Sequence, residues 1–412
     1  MASVDNFSTI LVLRQLARRR SIHRGNLPQC IETDAEGADA DADDVDAIIY
    51  AWKDKTITYK DIIATIISIL MRVIAVLLNV KLAVEYYQQG EHNYFIWTVV
   101  CLIAPMCVTA LIYAKMCHQD NKFNGGFCVV LQTTLLVVFS SLFLRYWNSL
   151  IYSVKCKHSE LQSDREQQLE YYRLTIREES DVALIRLIEC FMETAPQKIL
   201  LMSIMLMQQN QITGTQIWSV LLYLINVPWT LGSYNRCIRA AQANKNKLSY
   251  WYMAPHLCWH FCISVSRTLC ITFVAMLFPI WMIVACVLHA IIMGFVTFIV
   301  ERPHFSNIAF HNFLFSIALG FVYLFIYIPV KEAPTRYKYA IYYISCSLEN
   351  IICVLLFIGY APVSLKQSTA LFYILCSLAI SFYYVGILCM CIYYRHFHPN
   401  VKARRNINTN TN

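Results

Sequence analysis

The chain has 412 residues, of which 58% are hydrophobic and only 15% are charged, with a formal net charge of +8. Soluble domains are usually about half apolar and about a quarter charged, so this composition excludes an ordinary soluble protein and indicates a membrane protein. The cysteines and histidines do not fall at metal-ligand spacings, and no motif predicts a metal, a cofactor, a nucleic-acid partner or an enzyme active site.

Residues 1–60 contain no membrane segment and are predicted to form a cytoplasmic N-terminal arm. The arm begins with a basic stretch, and residues 32–46 then read ETDAEGADADADDVD. Small and acidic residues cannot bury an apolar core, so this stretch is expected to be a flexible, exposed linker.

Apolar segments follow one another from residue 62 almost to the end of the chain. A helix that spans the membrane needs about 20 predominantly apolar residues. Ten segments are candidates: 62–87, 94–116, 127–151, 182–207, 215–234, 252–277, 280–300, 308–330, 339–360 and 369–394. The connectors between them are short and polar, except for 153–181.

The charges of the connectors orient these segments, because short cytoplasmic loops are rich in Lys and Arg. Basic residues follow segments two, three, five, seven, eight and ten. The connectors after one, four and six have none, and the connector after nine has only Lys366. Segments three and eight thus have basic residues at both ends. We therefore expect these two to be re-entrant, with eight transmembrane helices and both termini in the cytoplasm.

The same arrangement reveals an internal repeat. Segments one to five and six to ten share the order span, span, re-entrant piece, span, span. The predicted fold is an all-α integral membrane protein of two pseudo-symmetric halves, residues 61–236 and 237–394, followed by a short cytoplasmic tail at 395–412. Glu193 of segment four has its counterpart in Glu349 and Asn350 of segment nine, and the functional path is expected at or beside the interface of the halves.

Several ionisable residues lie inside the predicted spans, where each costs about 2.5–3.5 kcal/mol near the centre of the bilayer. They are Arg72, Lys81, Glu85, Arg186, Glu189, Glu193, Arg267, His289 and Glu349. Arg186, Glu189 and Glu193 are spaced i, i+3 and i+7 and share one helix face. That face is either an interior ion-pair network that holds helices together or a polar stripe along which a lipid headgroup moves while its tails stay in lipid.

A set of motifs in a fixed order resembles the XK-related family. The most specific is RLIECFMETAPQKIL at 186–200. The others are Pro228-Trp229 with Tyr234, Arg236 and Arg239; Trp259, Arg267 and Phe278-Pro279; Thr335-Arg336 and Glu349-Asn350; and Tyr393-Tyr394 with His398-Pro399. Together they extend over roughly residues 61–399.

This resemblance implies eight spans plus two membrane-embedded helices, and an energy-independent exchange of phospholipids between the leaflets of the plasma membrane that exposes phosphatidylserine. By position it puts Asp61, Glu189, Glu193 and Arg267 on the lipid path, to which we add Arg186 and Glu349 from their place in the spans. The chain departs from the family in its first span, where Asn79 stands in place of the usual acid and Arg72 and Lys81 lie nearby.

The acidic linker contains two sequences of the type that caspases cleave. Asp34 ends IETD and Asp46 ends DDVD, and an alanine follows each. A linker rich in Asp also produces such matches by chance, but short exposed linkers are where proteases cut. We expect cleavage after Asp34 or Asp46 to activate the protein, as tail removal by caspases activates some family members.

Two other functions stay open at this stage. The chain could be a channel or transporter for ions or small solutes, or a non-catalytic membrane scaffold for a partner protein. The expected partners are phospholipids, including phosphatidylserine, and a caspase. A single-span membrane partner and a homodimer are further alternatives.

Overall fold

The computed structural model of the protein describes residues 56–119, 141–208, 212–241, 250–303, 308–328 and 336–397. Within these ranges the chain forms helices and no strands. The α-helices are α1 (Tyr59–Gln88), α2 (His92–Gln119), α3 (Ser141–Leu161), α4 (Arg165–Glu189), α5 (Ala195–Met207), α6 (Gly214–Ala241), α7 (Tyr250–Leu277), α8 (Pro279–Val300), α9 (Ala309–Val322), α10 (Arg336–Tyr360), α11 (Val363–Gln367) and α12 (Thr369–Ile392). Short π-helical segments cover Cys190–Thr194 and Tyr393–Phe397.

Six of the described helices are long and apolar enough to cross a membrane. They cover Tyr59–Gln88, His92–Ile112, Ala254–Leu277, Pro279–Val300, Tyr337–Tyr360 and Thr369–Phe397. Their outer faces are apolar, and Trp281 of α8 is 74% exposed. Six helices of this length and apolarity are suited to contact with acyl chains, and the predicted all-α, multi-pass membrane protein is confirmed at this level.

The two remaining predicted spans are more polar. Segment 182–207 falls on α4 and α5 and carries Arg186, Glu189, Glu193 and Lys198, and segment 215–234 falls on α6. Neither is among the six apolar helices, so the count of eight spans stays a prediction.

Of the two predicted re-entrant segments, the structure describes most of 308–330 but only the last part of 127–151. Segment 308–330 contains α9, whose 14 residues extend about 21 Å at 1.5 Å per residue, less than the roughly 30 Å of a hydrocarbon core. Of segment 127–151, residues 127–140 lie outside the described part. The predicted long connector 153–181 is mostly helical, because α3 continues to Leu161 and packs along α4.

The fourth segment lies on one continuous helix, in which a π-helical turn at Cys190–Thr194 joins α4 to α5. Between α4 and α5 the Ala195 N–H donates to the Cys190 carbonyl, five residues back. Pro196 explains the change of pitch, because it lacks an N–H and its ring collides with the carbonyl four residues earlier. The sequence ETAP thus places Glu193 inside a π-helical turn.

The predicted halves meet along α6 and α7. The Tyr223 and Thr268 hydroxyls are hydrogen-bonded at 2.8 Å, and the rings of Phe191 and Phe325 stack with centroids 5.5 Å apart. Phe325 belongs to the buried stretch 323–328 that follows α9. One continuous apolar core therefore joins the elements on the two sides of residue 237.

Helices α8 and α9 pack closely against each other, and this contact depends on two glycines. A Cβ added at Gly320 would lie 2.0 Å from the Ala290 carbonyl oxygen, and one at Gly294 would lie 2.8 Å from the Ile317 Cα. Small residues let helix backbones touch in membranes, where packing and not the hydrophobic effect holds helices together.

We predict that Gly320→Ala lowers the free energy of unfolding by about 1–3 kcal/mol, since backbone atoms must move to admit the methyl group. Gly359→Ala is the matched control, because a Cβ there meets nothing within 4 Å. Thermal unfolding of both purified variants in detergent, followed by size-exclusion fluorescence, measures the difference. Equal melting temperatures would contradict the close contact of α8 and α9.

Candidate functional site

A buried ion-pair cluster joins α1 to the fourth segment. The Arg72 guanidinium donates two parallel hydrogen bonds to Glu193, with Nη1–Oε1 and Nη2–Oε2 distances of 3.0 Å. Its Nε lies 3.5 Å from Glu189 Oε2. Glu193 is 0% and Glu189 2% exposed. Two carboxylates thus share one cation away from water, in the bidentate geometry that gives the strongest such pairs.

Arg186 has different partners from those its spacing suggested. It donates to the Tyr146 hydroxyl at 3.0 Å and to Asn226 Oδ1 at 2.7 Å. These contacts tie α4 to α3 and α6. The side chains on the predicted face therefore make contacts between helices. Arg72 of α1, and not Arg186, is the direct counter-charge of Glu189 and Glu193.

Sequence reasoning missed Lys198, which the structure places among neutral partners. Its ammonium donates to Asn79 Oδ1 at 2.9 Å and to the Ser219 hydroxyl, and the side chain is buried. Asn79, which stands in place of the usual acid, thus serves as a neutral oxygen partner of Lys198. The only sequence signal was a single lysine in the apolar run after ETAPQ, a pattern that snorkelling lysines share.

Polar contacts follow α1 from one end to the other. At its start Asp61 accepts from the Thr58 N–H and hydroxyl, both at 2.9 Å, and from Arg236 Nη1 at 2.6 Å. Near its end Glu85 accepts from the Thr215 hydroxyl at 2.7 Å. Positions 61, 65, 68, 72 and 79 lie on one helix face. This face, which we call the α1 polar line, extends about 27 Å from Asp61 to Asn79, and Glu85 projects from a different side of the helix.

A second cluster lies on α7 and α10. Arg267 donates from Nη2 to Glu349 Oε2 and from Nη1 to Asn350 Oδ1, both at 2.7 Å, and from Nε to the Leu324 carbonyl at 3.0 Å. His289 Nδ1 of α8 lies 3.6 Å from Glu349 Oε1. The Arg267 side chain is 3% exposed and that of Glu349 is 37% exposed. This carboxylate therefore reaches the outer surface.

The two clusters have the same design. Arg72 on the first segment of the first half pairs with Glu193 on its fourth segment, and Arg267 on the first segment of the second half pairs with Glu349 on its fourth. Two related halves would give this correspondence, and the pseudo-symmetry itself stays a prediction.

The predicted cleavage sites at Asp34 and Asp46 lie outside the described residues.

Chemically, these clusters are suited to holding charge in an apolar medium. Arg72 lies between two acids, and Arg267 has one acid and two neutral oxygens as partners, so each buried cation has a carboxylate as its counter-charge. A group that carries both a cation and an anion could replace one partner at a time. Among the described residues, no cluster of three or more His, Cys, Asp or Glu side chains has the geometry of a metal site.

We predict that Arg72→Met destabilises the protein strongly, because Glu189 and Glu193 would stay buried without their cation; such losses cost about 3–5 kcal/mol. Adding Glu189→Gln and Glu193→Gln to that variant is expected to recover part of the loss. Thermal unfolding in detergent measures both effects.

The matched control is Lys81→Gln, also on α1, since Lys81 is 64% exposed and its nitrogen lies 3.9 Å from Glu85. We expect it to be near neutral. A triple variant no more stable than Arg72→Met alone would contradict the ion-pair assignment.

Comparison with known proteins identifies the family of this chain. The family model of the XK-related protein matches residues 63–399. A similar protein is Cell death abnormality protein 8 of Caenorhabditis briggsae, which is 26% identical over 270 residues, covering 62% of this chain and 56% of that protein. The match therefore spans only a little over half the length of that relative. Because the family model covers most of the chain, the protein belongs to the XK-related family.

Proposed function

We propose that this protein is a phospholipid scramblase of the plasma membrane that caspase cleavage of its N-terminal arm activates. The observation that carries the proposal is the α1 polar line, in which charged and polar groups are held across the depth of a membrane helix. Charges are expensive in hydrocarbon, so their presence there indicates a polar path. A lipid headgroup would follow these groups while its acyl chains stay outside.

Two further observations support this reading over a purely structural one. Glu349 is partly open to the apolar outer surface, where Leu348 and Ile352 are 59% and 56% exposed, so a headgroup from the bilayer could reach a charged partner there. The name of the relative Cell death abnormality protein 8 also supports a role in apoptosis, where exposed phosphatidylserine is the expected product.

The described conformation suits a resting state. Glu189, Glu193 and Lys198 are buried and engaged, so α1 must move away from α4 and α5 before a headgroup can contact them. The predicted linker leads directly into α1, since Asp46 lies thirteen positions before Tyr59. We propose that cutting the arm removes a restraint on the start of α1, where Asp61 holds Arg236.

The architecture that accompanies this function is also a proposal. Eight spans and two re-entrant helices would place both termini in the cytoplasm, where a caspase acts. The 14-residue length of α9 supports a re-entrant element in the second half.

We predict that the caspase-treated protein, reconstituted in liposomes with a fluorescent phospholipid, lets dithionite bleach both leaflets. The uncut protein and the variant Asp34→Ala/Asp46→Ala treated in the same way are expected to leave the inner leaflet protected. The single variants identify the site that is cut. Ion flux without lipid movement would favour a channel or transporter, and silence of the cut protein in both assays would favour a scaffold.

We further predict that Glu189→Gln, Glu193→Gln and Arg267→Met slow lipid exchange by the cut protein, since each removes a charge that the headgroup would meet. The same bleaching assay gives the rate. Lys81→Gln is the control with normal exchange. An unchanged rate in variants that elute as folded protein would overturn the proposed path.

A further inference from the structure

Two cysteines on different helices are in contact where α7 and α12 pack together. The Sγ atoms of Cys258 and Cys389 are 3.6 Å apart, and all the described cysteines are free thiols. The helices approach closely because of Gly386: a Cβ there would lie 2.9 Å from the Ile263 side chain and 3.2 Å from the Cys262 Cβ. Gly386 therefore lets α7 and α12 pack closely beside the two thiols.

The thiol pair faces the outer surface of the helix bundle. Cys258 is exposed, and the neighbours Val385 and Leu388 on α12 are 46% and 59% exposed. Cys258 is the fifth residue of the apolar span that begins at Ala254, about 6 Å along the helix axis from its start. A reagent dissolved in the lipid near the end of this span can thus reach the pair without opening the protein.

We propose that Cys258 and Cys389 form an oxidisable dithiol site whose oxidant is a hydroperoxide, including the hydroperoxides of membrane lipids. The Cys258 sulfur attacks the terminal oxygen of the O–O bond, gives a sulfenic acid and releases the lipid alcohol. The Cys389 thiol then attacks that sulfur, the S–S bond forms and water leaves. In total, one hydroperoxide and two thiols give one alcohol, one disulfide and one water.

The geometry favours this outcome over further oxidation of one sulfur. A sulfenic acid with a thiol in contact condenses to a disulfide before it is oxidised further. The sulfurs need only approach from 3.6 Å to the roughly 2.05 Å of a disulfide bond. The bond would fasten α7, which carries Arg267, to α12. Disulfides in reducing compartments are usually transient or redox-sensing, as this one would be.

We predict that the full-length protein in nanodiscs, treated with tert-butyl hydroperoxide or peroxidised phosphatidylcholine, loses two free thiols and yields a 258–389 disulfide peptide on mass spectrometry. Dithiothreitol is expected to restore both thiols. Cys258→Ser and Cys389→Ser each abolish the linked peptide. Cys391→Ser, which changes an exposed cysteine two positions from Cys389, leaves it intact.

The wild-type protein alone already tests the proposal, so a variant that fails to fold does not weaken it. Wild-type protein that accumulates Cys258 sulfinic acid without the linked peptide would overturn the proposal, and so would wild-type protein whose two thiols stay reduced. The readout is a covalent bond, so the result is independent of whether the protein moves lipids.

Discussion

The structure depends on the pairing of charges inside helices that face lipid. Lipid tails are as apolar as the helix surfaces, so apolar burial does little to hold α1 in place. The bidentate contact between Arg72 and Glu193 does so specifically, because either partner left alone would be an uncompensated charge in a medium that cannot solvate it. The position of α1 against the fourth segment is thus set by electrostatics, and the polar contacts of Asp61, Ser68 and Asn79 lie on the same face of α1.

The fourth segment is shaped to make that pairing possible. Pro196 breaks the regular hydrogen-bond pattern, and the π-helical turn before it carries Glu193, while Glu189 lies at the end of the regular helix. Both carboxylates nevertheless reach the same guanidinium. The sequence ETAPQ, residues 193–197, therefore has a structural role. It combines the acid Glu193 with Pro196, which widens the turn, and the buried Lys198 follows directly after it.

Local features of the fold could be predicted from the sequence, and long-range partners could not. Segment 252–277 ends with α7 at Leu277, and Glu189 and Glu193 were grouped correctly because their spacing on one helix fixes their relation. Their counter-charge was not predicted, since Arg72 lies 121 positions before Glu193 and no periodicity connects the two. Arg186 shared the predicted face yet turns to Tyr146 and Asn226, because the neighbouring helices offer these groups.

The two arginine–acid pairs differ in exposure, and this difference bears on how lipid exchange could be controlled. Glu349 is partly open to the outer surface, whereas Glu193 is sealed under α1. On the proposed function, a headgroup could meet the second pair at any time but would reach the first only after α1 moves. In the sequence, the linker with the two candidate cleavage sequences precedes α1, which is the first helix of the described residues. On the proposed function, cutting that linker would act first on α1 and the sealed pair, so a single proteolytic event could control exchange.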